Sequence, residues 1–184
     1  MSTKVEATIA DLSEVEGKAE LVNGEIVHMP PTGGIPNLAA FKITLSLHNY
    51  AELTKSGVAV GDNAAFVVNL PNRKSFSPDA AFYTGEVTMK FFEGAPVFAV
   101  EVRSEGDYGP KMEKKMAAKR ADYFAAGTQV VWDVDLLRGP DVVRAFHASD
   151  PQHPRIFRRG EMADAEPALP GWRMPVDDLF LQKD

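Results

Sequence analysis

Three charged residues stand where the surrounding pattern calls for apolar ones. Glu101 lies within Val97-Phe98-Ala99-Val100-Glu101-Val102, a run in which a lone carboxylate is costly to bury unless a cation, a proton or hydrogen-bond donors compensate it. Two readings stand: Glu101 ends the strand and meets solvent or an arginine, or it serves a site. Asp79 lies in Ser77-Pro78-Asp79-Ala80-Ala81-Phe82. A proline there marks a strand start or bulge. Because strands adjacent in sequence usually neighbour in the sheet, Asp79 and Glu101 can face each other. Two such carboxylates repel, and a divalent cation relieves the repulsion; hard oxygen ligands favour Mg²⁺ over zinc. The third residue, Lys119, shares a helical face with Met112, Met116 and Tyr123. It either reaches an inward carboxylate or snorkels, its stem on the core and its charge in water. Lys111, Lys114, Lys115 and Arg120 around it form the densest basic cluster of the chain: a solvated face, or a receiver for phosphates.

Other chemistries find less support. His28, His48, His147 and His153 show no ligand spacing for zinc. Gly33-Gly34 lacks the lysine and further glycines of a phosphate-binding loop. Ser77 and Ser104 have no evident histidine partner for a hydrolase triad. Asp133 and Asp135 end a strand or touch the site. The chain has no cysteine, so disulfides, thiolate metal sites and thiol nucleophiles are excluded.

The elements that must position these residues follow from pattern. The 184 residues, 45% hydrophobic and 25% charged, predict one globular domain spanning 1–184. Asn23-Gly24 between two short apolar runs predicts a type I′ hairpin. Asn37 stands at a helix-cap position, and a helix to about Lys55 follows; its residues Leu38, Phe41, Leu45, Ile43, Leu47 and Tyr50 predict a broad face packed on a sheet. Strands are expected in 57–83 and at Pro96–Arg103. After Ser104–Pro110 come a helix over Lys111–Ala126 and a central strand in Gln129–Asp135. This strand–helix–strand unit implies parallel strands beside an antiparallel hairpin, hence a mixed sheet. The runs at 142–147 and 155–159 read as edge strands, and the tail is expected to pack Trp172, Leu179 and Phe180 onto the core.

The N-terminal stretch carries acids where a signal peptide needs a basic start, and no window approaches the ~18 consecutive apolar residues of a membrane span. A cytoplasmic protein is the simplest expectation. With 26 Asp+Glu against 20 Lys+Arg, the net charge of −6 argues against coating nucleic acid by bulk charge. Any such contact must be local.

The segments ELVNGEIVHMPPTGG, SPDAAFY, FAVEVRSEGD, KRADYFAAGTQVVWDVD and ALPGWRMPVDDLF, in this order over nearly the whole chain, resemble the bacterial Uma-type family of restriction-endonuclease-like proteins within the PD-(D/E)XK nuclease superfamily. The resemblance implies an α/β (α+β) fold, with a restriction-endonuclease-like mixed β-sheet core flanked by helices. It also implies a divalent-metal site holding Mg²⁺ or Mn²⁺, and endonuclease activity. Pro78-Asp79 matches the PD of the motif and Glu101 its acidic position. The motif lysine falls on Arg103, and the family's displaced lysine, four residues before the tyrosine of Tyr-x-x-x-Gly, matches Lys119. Glu20 matches a family glutamate before the first hairpin turn. The family histidine at the start of the next helix is absent, since Pro36 or Asn37 stands there.

The resulting expectation is a Mg²⁺-dependent hydrolase of DNA phosphodiester bonds. Asp79 and Glu101 hold the metal and Lys119 assists. Glu20 and Arg103 are possible additions, and Lys111, Lys114, Lys115 and Arg120 receive DNA. A homodimer is expected by analogy. The rival is a catalytically silent interaction module on the same fold, itself homodimeric. A nuclease-fold enzyme acting on RNA or another phosphodiester is a third reading.

Overall fold

The structure, a computed structural model, describes residues 5–181. The first four residues of the N-terminal stretch weighed above as a signal peptide lie outside that range. The elements in chain order are α1 (Ile9–Ser13), β1 (Ala19–Val22), β2 (Glu25–His28), α2 (Gly34–Thr54), β3 (Val58–Val60), β4 (Phe66–Val67), β5 (Ser75–Phe76), β6 (Ala80–Tyr83), β7 (Phe92–Glu93), β8 (Phe98–Val102), α3 (Pro110–Ala125), β9 (Val130–Val134), β10 (Val143–His147), β11 (Asp150–Phe157), β12 (Met162–Asp164) and β13 (Arg173–Pro175), followed by a 3₁₀ turn at Val176–Leu179.

The main sheet has six strands in the order β11-β10-β9-β8-β6-β3. Strands β8 and β9 run parallel across the α3 connection, and the other pairs are antiparallel. The sheet is therefore mixed, as the strand–helix–strand pattern requires. Because side chains alternate along a strand, its two faces build separate cores. Phe98, Val100 and Val102 of β8 join Val130, Trp132 and Val134 of β9 on the face covered by α2 and the C-terminal segment. Ala99 of β8 and Val131 of β9 meet Tyr123 of α3 on the other. Glu101 shares the parity of Ala99, so it belongs to the α3 face. Trp172 and Leu179 are buried in the α2-side core and Phe180 packs against it, as expected of the tail.

Strands β1 and β2 form a hairpin with Val22 opposite Glu25. Asn23 and Gly24 between them have φ of 51° and 71°, the two positive values that a type I′ turn demands. The hairpin docks on the Arg73–Ser75 segment: Leu21 N–H donates to Ser75 Oγ at 2.8 Å, and Lys74 N–H to the Leu21 carbonyl at 2.9 Å.

Three local expectations are corrected. Helix α2 starts at Gly34, with Gly33 rather than Asn37 as its cap. Pro36 lies in the first turn, where its missing N–H has no intrahelical partner to lose. Ile43 and Leu47 of α2 are buried, but Leu38, Phe41 and Leu45 are 43%, 61% and 49% exposed, so the apolar surface wraps farther round the helix than the sheet covers. Finally, of the two strands expected at an edge, β10 is interior and β11 lies at the edge.

Candidate active site

Pro78 ends the segment that leads into β6, and Asp79 follows it immediately. The β6–β8 register pairs Ala80 with Val100 and Ala81 with Ala99; continued by one residue, it sets Asp79 opposite Glu101. Asp79 N–H donates to the Val100 carbonyl at 3.0 Å. Its Oδ2 accepts the Val102 N–H at 2.7 Å, so the carboxylate takes over the ladder at the point where β6 begins. Its Oδ1 accepts from Lys18 Nζ at 2.6 Å, and Lys18 also meets Asp62 Oδ1 at 2.6 Å.

Glu101 projects from β8 toward α3. Its Oε1 accepts the Tyr123 hydroxyl at 2.7 Å and lies 2.8 Å from Lys119 Nζ. Tyr123 is fully buried and stacked on Phe76 with centroids 4.0 Å apart, which fixes its hydroxyl. Lys119 also lies 2.8 Å from Oε1 of Glu20 on β1. That oxygen accepts the Ser77 N–H at 2.8 Å, while Oε2 of Glu20 accepts from Arg73 at 2.6 Å. Arg73 continues to Asp122 on α3 at 2.9 Å. Lys119 is thus held between two carboxylates with its side chain 17% exposed; snorkelling does not describe it. The spacing of Met112, Met116, Lys119 and Tyr123 places Lys119 and Tyr123 on the same face of α3, and both reach Glu101.

Two runs of alternating charge meet at the carboxylates of Asp79 and Glu101: Asp62, Lys18, Asp79 in one, and Glu101, Lys119, Glu20, Arg73, Asp122 in the other. Burial raises the Glu101 carboxyl; Lys119 opposes the rise, and the nearby Asp79 and Glu20 charges add to it, leaving a net upward shift. For Glu20, burial is outweighed by Lys119 and Arg73, and its carboxyl is held below the ordinary range. Burial would lower Lys119, but Glu101 and Glu20 more than reverse it. The same balance raises Lys18, with burial outweighed by Asp79, Glu101 and Asp62. Burial and then the Glu101 and Glu20 charges push the Tyr123 phenol well up, so it stays a donor.

The structure brings Asp79, Glu101, Lys119 and Glu20 together and sends Arg103 elsewhere. Arg103 shares the α3 face with Glu101, yet it donates to Asp133 through Nε and Nη2, both at 2.7 Å, and pairs with Glu113. Asp133 is spent on that pairing. Asp135 accepts from Tyr108 at 2.7 Å and from the N–H groups of Leu137 and Arg138; it terminates β9. On α3, Lys111, Lys114 and Lys115 are exposed. Arg120 is half-buried, 3.6 Å from Asp133 and stacked on Phe146 at 3.9 Å.

Sequence reasoning missed Lys18 and Arg73. Lys18 carried a usable signal, because period-two alternation places it on the face of Glu20. Arg73 carried none: its partner Glu20 is 53 residues away.

Among the described residues no three or more histidine and carboxylate side chains gather into a ready-made cation cage. Two neighbouring carboxylates, Asp79 and Glu101, are nevertheless the number that Mg²⁺ takes when waters and substrate phosphate complete its shell. The network holds five carboxylates against three cationic side chains. That excess equals the charge of one divalent ion. The donor set fits a hard divalent cation.

Comparison with known proteins agrees with this fold. No curated protein matches the chain. A crystal structure from Anabaena variabilis ATCC 29413, described as "a putative nuclease belonging to DUF820", superposes with a TM-score of 0.73 at 16% identity, covering 94% of this chain and 97% of that one. At that identity the likeness carries the fold. The family described as "Uma2: Putative restriction endonuclease" matches residues 7–177, from the N-terminal helix to the final turn. The chain belongs to the Uma2 family.

Proposed function

We propose that the chain is a divalent-metal-dependent endonuclease that hydrolyses DNA phosphodiester bonds, acting as one domain in the cytoplasm. The observation that carries this reading is the meeting of Asp79, Glu101 and Lys119 in one network from three separate elements. Asp79 and Glu101 would hold Mg²⁺ or Mn²⁺. Bound there, the ion supplies a Lewis acid for the phosphate and a lowered pKa for a coordinated water. Lys119, kept cationic by Glu101 and Glu20, presents an ammonium to the charge that develops on the phosphate. Glu20 positions Lys119 and is itself anchored by Arg73 and the Ser77 N–H. Lys111, Lys114 and Lys115, exposed on α3, attract the phosphate backbone and localise positive potential on an acidic chain. The exposed stripe Leu38, Phe41 and Leu45 on α2 supports a homodimer, which would give a duplex two cutting sites.

One observation favours the rival reading of a silent module: Lys18 and Lys119 already neutralise Asp79 and Glu101, so the network is self-supporting without a metal. Calorimetric titration with Mn²⁺ separates the two. The enzyme binds Mn²⁺ in a manner lost in Asp79→Ala and Glu101→Ala; a silent module shows no binding that depends on those residues.

A further inference from the structure

Near the Asp79–Glu101 network lies a concavity of about 340 Å³, lined by Arg103, Arg120, Arg138 and Arg144 with Tyr108 and Phe146. Its volume falls in the range of small-ligand sites. Three carboxylates, Glu113, Asp133 and Asp135, also line it, but each is consumed internally. Asp133 and Glu113 are gripped by Arg103, and Asp135 by Tyr108 and two backbone N–H groups. What remains is cationic. Arg138 is stacked on Tyr108 at 3.9 Å and Arg120 on Phe146 at 3.9 Å; stacking orients a guanidinium plane while leaving its edge N–H groups free to donate. Arg120 comes no closer than 3.6 Å to Asp133. Burial, with the Arg103 and Arg144 charges, pulls Arg120 below its ordinary value against the opposing pull of Asp133 and Glu113.

The place of this concavity points to its ligand. Arg103 lies just past the end of β8, two residues on from Glu101, with its N–H on the Val134 carbonyl at 2.8 Å. Arg120 follows Lys119 on α3, and Asp133 pairs with Glu101 across the β8–β9 ladder. The two sites are therefore neighbours on the α3 side of the sheet.

We propose that Arg120, Arg138 and Arg144 form a seat for a nucleic-acid phosphate next to the one attacked at the Asp79–Glu101 pair. Arg103 acts there as the buried strut that occupies Asp133 and Glu113. The proposal rests on the nuclease reading for the identity of its ligand. Planar guanidinium forks suit phosphate oxygens better than lysine ammonium does, and the seat sets the register of the strand rather than reading its bases.

The test is binding of a fluorescein-labelled DNA duplex in EDTA, followed by anisotropy over a range of salt, with wild-type protein, Arg138→Gln and Arg138→Gln/Arg144→Gln. The double variant should bind about tenfold more weakly, and its slope of log affinity against log salt should be shallower by about 1, because it neutralises one phosphate fewer. Inorganic phosphate at millimolar concentration should compete with the wild type more than with the variant. Arg138 is exposed, so Arg138→Gln alone carries the salt-slope test if the double variant does not fold. An unchanged slope in a folded variant overturns the seat, and does so even if the wild type cleaves DNA. An Arg138-dependent slope in a protein that cleaves no DNA with Mg²⁺ or Mn²⁺ upholds the seat and defeats the nuclease reading instead.

Discussion

Replacing Lys119 by methionine keeps the stem and deletes the charge. Glu101 and Glu20, each 2.8 Å from the ammonium, then face each other without the cation between them and with Asp79 nearby. Removing one partner of a buried ion pair costs about 3–5 kcal/mol. The lower end applies, because Glu101 is 26% exposed at its side chain and Glu20 keeps Arg73 and the Ser77 N–H. For a chain of this length, about 3 kcal/mol corresponds to a fall in Tm of roughly 6–12 °C. The assay is thermal unfolding in EDTA at neutral pH, with urea denaturation for the free energy. Adding Glu101→Gln to Lys119→Met removes the orphaned charge and should recover part of the loss, a coupling that a double-mutant cycle reads directly. A snorkelling lysine would behave differently. If Lys119→Met changes stability by no more than about 0.5 kcal/mol, or Glu101→Gln makes the variant worse, the Glu20–Lys119–Glu101 bridge is refuted.

Other outcomes follow from the same network. Lys18 neutralises Asp79 where a metal would bind, so Lys18→Met should tighten Mn²⁺ binding by roughly tenfold or more; calorimetry showing equal or weaker binding contradicts the placement of the ion. Glu20 has a folded-state pKa below its ordinary 4.5, so its contribution to stability is present above that pH and is lost as pH falls through the depressed value. The stability gap between wild type and Glu20→Gln should therefore be widest near neutrality and should narrow as the pH falls below 4.5. A gap that stays constant into acid speaks against the pairing. Tyr123→Phe removes a buried donor to Glu101 and should cost about 1–2 kcal/mol by urea denaturation, whereas a neutral result would mean that Tyr123 serves the core alone.

The residues of the candidate site were legible where their signal was local. Glu101 in an apolar run, Asp79 after a proline and Lys119 in an apolar helical stripe each broke a pattern, and broken patterns mark sites. Asn23-Gly24 was legible because the turn geometry is set by those two residues. Less visible was anything resting on tertiary pairing. Lys18 reaches Asp79 across 61 positions, and the turn around Arg73 looks like any other turn. Helical spacing showed that Leu38, Phe41 and Leu45 share an apolar surface with Ile43 and Leu47, but spacing cannot say how much of a surface a sheet will cover. Arg103 was placed by alignment with a motif lysine, and the acids beside it, Asp133 and Glu113, determine where it turns.

If Asp79, Glu101 and Lys119 form a metal-dependent phosphodiesterase centre, purified protein must nick supercoiled plasmid with Mg²⁺ or Mn²⁺, and that assay, run beside Asp79→Ala, Glu101→Ala and Lys119→Ala, decides the matter. The expected result is cleavage by the wild type that EDTA abolishes and that each variant lacks. Cleavage that persists undiminished in all three, or none by the wild type with either metal, would contradict it.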